Sequence, residues 1–109
     1  MPPAKLDRIA DATLRTSLAA AHASLRAGDY LDVVQRAADA YLELLRRKPE
    51  LLEGMMGRMR IMFFPRLGAR LEREGEGAPA LHWDRETFAF SEAVTYFEFA
   101  VDQLLRKGI

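Results

Sequence analysis

Residues 24–49, SLRAGDYLDVVQRAADAYLELLRRKP, decide the architecture, because one helical pattern stops inside them and another starts at once. Gly28 is the stop. Glycine enters the left-handed backbone conformation that ends a helix without the penalty a Cβ would bring. Asp29 follows as an N-cap, its carboxylate able to accept from the free backbone N–H groups of the next turn. Beyond it Tyr30, Val33, Val34, Ala37, Tyr41, Leu44 and Leu45 recur every three or four residues, with Asp32, Gln35, Arg36, Asp39, Glu43 and Arg46 filling the other side. This is an amphipathic helix. It should end near Lys48, since Pro49 disfavours helical geometry at the residue before it. A link so short leaves the second helix to fold back antiparallel on the first.

Working outward, residues 4–27 place Leu6, Ile9, Leu14, Leu18, Ala21 and Leu25 on one stripe and predict a first helix packed against the second. Ala19, Ala20, Ala21 and Ala23 make it narrow, so a neighbour can come close. On the other side, residues 50–73 read ELLEGMMGRMRIMFFPRLGARLER. Leu51, Leu52, Met55, Met56, Met59, Met62 and Phe63 give a third helix with a wide apolar stripe, broadened by Ile61 and Phe64. Pro65 should break or kink it, opening a second segment with Leu67 and Leu71 on one side and Arg66, Arg70 and Arg73 on the other. Gly54 and Gly57 weaken a helix, which is consistent with another backbone approaching there.

Residues 74–83 form a loop by composition, rich in Gly with one Pro. Asp84 is the expected N-cap of the last helix, with Trp83 and Phe88 packing across its start as a hydrophobic staple. Phe90, Ala93, Val94, Phe97, Val101 and Leu104 then form its stripe, with Tyr96, Phe99 and Leu105 beside it. Arg106 and Lys107 suit the negative end of the helix dipole, and Gly108 is a stop. The fold expected is all-α: one domain over residues 1–109, a four-helix up-down bundle with the third helix broken at Pro65.

Composition bounds the function classes. Half the residues are hydrophobic and 29% are charged, as in a folded domain. The chain has no cysteine, so disulfides, thiol nucleophiles and Cys-based zinc sites are excluded. Charges interrupt the N-terminal residues where a signal peptide needs an apolar core, and no apolar run approaches the roughly 20 residues of a membrane span. A cytoplasmic protein with no membrane contact is the expectation. Histidines and carboxylates show no metal-ligating spacing, Glu72, Glu74 and Glu76 read as a solvated loop edge, and no glycine-rich phosphate loop follows a strand. No cofactor or metal is therefore assigned. His82, beside Trp83 at a helix entrance, reads as a capping or packing residue.

The formal charge is zero but unevenly spread. Residues 46–73 hold eight Arg and Lys against three Glu, a net of +5, whereas residues 74–109 hold three against seven acidic groups, a net of −4. Complementary solvated faces of one bundle explain this split. The alternative is an anion or nucleic-acid footprint on Arg58, Arg66, Arg70 and Arg73, with Arg60 beside them, binding RNA or DNA by its backbone. The apolar stripe likewise has two readings. Methionines fill irregular cores well. A stripe too wide for one core instead makes Leu52, Met55, Met56, Met59, Met62 and Phe63 a seam for a homodimer or a helical partner protein.

The hairpin at Gly28, Asp29 and Tyr30, with Ala40 behind it, resembles a single tetratricopeptide repeat, but Pro49 comes one turn late and no second unit exists to stack on it. The same turn, the run Ala37–Ala38–Asp39–Ala40–Tyr41 and the closing helix RETFAFSEAVTYFEFAVDQLL more closely resemble the HEPN superfamily of small helical bundles. That resemblance implies either a metal-independent endoribonuclease or toxin–antitoxin component, or a non-catalytic, often dimeric partner of a nucleotidyltransferase. Catalytic members carry an Arg and a His separated by four to six intervening residues on a late helix. Here the late helices lack the pair; the spacing occurs once, as Arg15 and His22, on the first helix. The expectation is a non-enzymatic interaction domain.

Overall fold

The computed structural model describes residues 4–53, 64 and 87–109. They form α1 (Ala4–Asp7), α2 (Ala12–Ala27), α3 (Tyr30–Arg47), a 3₁₀ turn (Pro49–Leu52) and α4 (Phe90–Arg106). The protein is all-α, and no strand occurs among the described residues.

Gly28 ends α2 as its chemistry requires. Its φ is 84°, its N–H donates to the carbonyl of Leu25, and the Asp29 N–H donates to that of Ser24 at 2.9 Å, the paired bonds of a Schellman cap. Asp29 then accepts from the Asp32 N–H at 3.3 Å and starts α3. The far end of α4 repeats the device: Gly108 has φ 72°, its N–H donates to Leu105, and the Ile109 N–H donates to Leu104. Ile109, thus turned back, packs against the core.

The first helix is not continuous. It is interrupted between Asp7 and Ala12, where Asp11 accepts from the Leu14 N–H at 2.9 Å and caps a new helix. The corner is held from both ends of the chain: Arg15 donates to the Ile9 carbonyl at 2.9 Å, and the Ala10 N–H donates to the Ile109 carbonyl at 3.2 Å. The apolar stripe survives the break, since Leu6, Ile9, Leu14, Leu18, Ala21 and Leu25 are all buried. Of the four alanines expected to thin this helix, only Ala21 is fully buried.

Helix α3 is central. Nine of its 18 residues are buried, including Ala38, Ala40 and Leu42 outside the expected stripe. That is more than a helix facing one neighbour would bury. Its two neighbours run in opposite directions. Arg47 at the end of α3 reaches Asp11 before the start of α2, so these two are antiparallel. Tyr30 and Phe90, the first residues of α3 and α4, meet edge to face at 5.9 Å, and further along Tyr41 meets Phe99 at 5.3 Å. Helices α3 and α4 are therefore parallel. The chain leaves α3 at one end and enters α4 at the other, about 27 Å away for an 18-residue helix.

Two expectations at element starts need correction. Residues 49–52 form a 3₁₀ turn and Glu53 is extended, so no α-helix begins at Glu50. Likewise, α4 begins at Phe90 rather than after Asp84. Thr87, Phe88 and Ala89 are non-helical, Ala89 is extended, and the Glu92 carboxylate accepts from the Ala89 N–H at 3.0 Å. With the start moved past it, Phe88 turns inward and is buried, while Phe90 is 55% exposed instead of joining the stripe. Ala93, Phe97, Val101 and Leu104 are buried as expected, joined by Ala100 and Gln103. The break at Pro65, the loop 74–83, Trp83 and Asp84 lie outside the described residues.

Candidate functional site

Leu51 and Phe64 flank the apolar run in which the sequence places an association seam. Leu51 is half-buried against the core. Phe64 is wholly buried, its ring 5.4 Å from Tyr41, 5.3 Å from Tyr96 and 5.7 Å from Phe99. Phe88 extends this aromatic cluster, edge-on to Tyr96 at 5.9 Å. The tilted and edge-to-face pairings are those that aromatic quadrupoles favour, each adding roughly 0.5–1.5 kcal/mol beyond area burial. Phe64 thereby wedges between α3 and α4 as a core residue. Of the proposed seam, Leu52 contributes its backbone to the 3₁₀ turn; Met55, Met56, Met59, Met62 and Phe63 lie outside the described residues, as do Arg58, Arg60, Arg66, Arg70, Arg73 and His82.

Arg15 and His22 both lie on α2 and are half-buried. Seven residues of helix set their Cα atoms roughly 10 Å apart. The Arg15 guanidinium donates to the Ile9 carbonyl and ties down the α1–α2 corner. The His22 ring lies 6.1 Å from that of Phe97, tilted by 42°, in the contact between α2 and α4. Each side chain thus has a packing role at a different level of α2.

Two charged clusters emerge that were not among the site residues expected from the sequence. Arg47 lies 2.7 Å from Asp11 and 3.6 Å from Glu43, joining the end of α3 to the start of α2. The Asp11 carboxyl is held below its ordinary value, first by the Leu14 N–H and then by Arg47, which is itself held above its usual range by Asp11. In the second cluster, the Ser24 hydroxyl donates to Asp32, and Arg36 donates to the same oxygen at 2.8 Å. These bonds, with Ser24 the larger influence, lower the Asp32 pKa. The pairing across 36 residues of sequence could not be read from local spacing. The i, i+4 relation of Asp32 and Arg36 was the available signal for the second cluster.

A shallow groove of about 270 Å³ opens beside the first turns of α4, lined by Ser91, Glu92, Thr95 and Tyr96. Two of its side chains serve the helix start: Glu92 accepts from the Ala89 N–H, and the Thr95 hydroxyl donates to the Ser91 carbonyl at 2.9 Å. Among the described residues, no group of three or more His, Asp or Glu is placed to hold a metal. No described helix is long and apolar enough to cross a membrane. Comparisons with protein families, with curated proteins and with solved structures found no match.

Proposed function

We propose that the protein is a non-enzymatic helical interaction domain that self-associates through the face carrying Leu52, Met55, Met56, Met59, Met62 and Phe63. In this reading a third helix, kinked at Pro65, runs back between the end of α3 and the start of α4 and completes an up-down bundle. The parallel course of α3 and α4 supports it, because parallel neighbours need a crossing connection between them. A bend in the backbone at Phe64, immediately before Pro65, supports the kink.

The observation that carries the proposal is the burial of Phe64. Ile61, Met62 and Phe63 precede Phe64 directly, and on the proposed helix three consecutive side chains are spread widely round the axis, so that they do not all face the way one core lies. In this reading the apolar run ending at Phe63 is wider than the core takes up at Phe64 and offers its remaining side to a second surface, since a contiguous exposed apolar patch marks an association site. A second copy of the chain is the partner proposed. The HEPN-like pattern adds a nucleotidyltransferase-type protein as the alternative occupant of the same face. Sedimentation of the native chain across a concentration series tests the reading: a mass rising to twice 12.3 kDa supports self-association, and a mass fixed at 12.3 kDa into the high micromolar range overturns it.

A further inference from the structure

We draw no further inference here: the strongest candidate, the open groove at the start of α4 beside the exposed ring of Phe90 and lined by Ser91, Glu92, Thr95 and Tyr96, has its carboxylate engaged in capping the helix, and nothing in the structure shows what covers it.

Discussion

The Asp11 carboxylate performs two tasks with its two oxygens: one caps α2 through the Leu14 N–H at 2.9 Å, and the other receives Arg47 from the end of α3 at 2.7 Å. Asp11→Asn should keep the cap and lose the ion pair, whereas Asp11→Ala loses both. Urea midpoints should therefore fall in the order native, Asn, Ala. Equal midpoints for the two variants would show that the cap contributes nothing.

Asp11 and Asp32 have folded-state pKa values below their ordinary ones. The folded protein then holds fewer protons than the unfolded chain on acidification, so the contribution is fully present above the unfolded pKa, near 4. It is lost as pH falls through the folded value. Urea unfolding between pH 5 and pH 2.5 should show stability declining, with a shallower decline in the Asp32→Asn variant. An unchanged slope in that variant would contradict the role given to Ser24 and Arg36.

Gly28 sits at φ 84°, and a Cβ added there would meet no atom within 4 Å. Any cost of substitution is thus conformational rather than steric crowding by a neighbour. Gly28→Ala should destabilise the protein by about 1–2 kcal/mol, with Gly28→Asn costing less, because asparagine tolerates the left-handed region. Chemical denaturation of the two variants decides it, and an alanine variant as stable as the native chain would refute the cap.

Three phenylalanines separate core from surface. Phe97 and Phe64 are wholly buried, while Phe90 is largely exposed. Phe97→Ala and Phe64→Ala should each cost on the order of 3–5 kcal/mol. Phe90→Ala, which loses chiefly its edge contact with Tyr30, should cost about 0.5 kcal/mol. A reversed order in thermal or urea unfolding would mean that α4 is turned the other way.

The hairpin was legible because Gly28 and Asp29 encode a stop and a start in adjacent residues. Asp11 encodes the same kind of start, but the apolar stripe runs through it, and the wider gap between Ile9 and Leu14 was the only break in its rhythm. The opening of α4 was misplaced because Asp84 looks like a cap and Ala89 does not; there the Glu92 side chain caps by reaching back from within the helix. The direction of α4 rests on contacts such as Tyr30 with Phe90, which no local pattern reports. Of the candidate seam, composition shows the apolar width, and the burial of Phe64 shows that one of its neighbours is already taken by the core.

The most direct measurement compares sedimentation and circular dichroism of the native chain with those of a Met59→Glu, Phe63→Glu double variant. Phe64→Ala serves as the core reference. Self-association through the third-helix face predicts a native dimer and a double variant that is monomeric, equally helical and equally stable, while Phe64→Ala loses stability. A native chain that stays monomeric, or a double variant that unfolds as Phe64→Ala does, would contradict it and assign those methionines to the core.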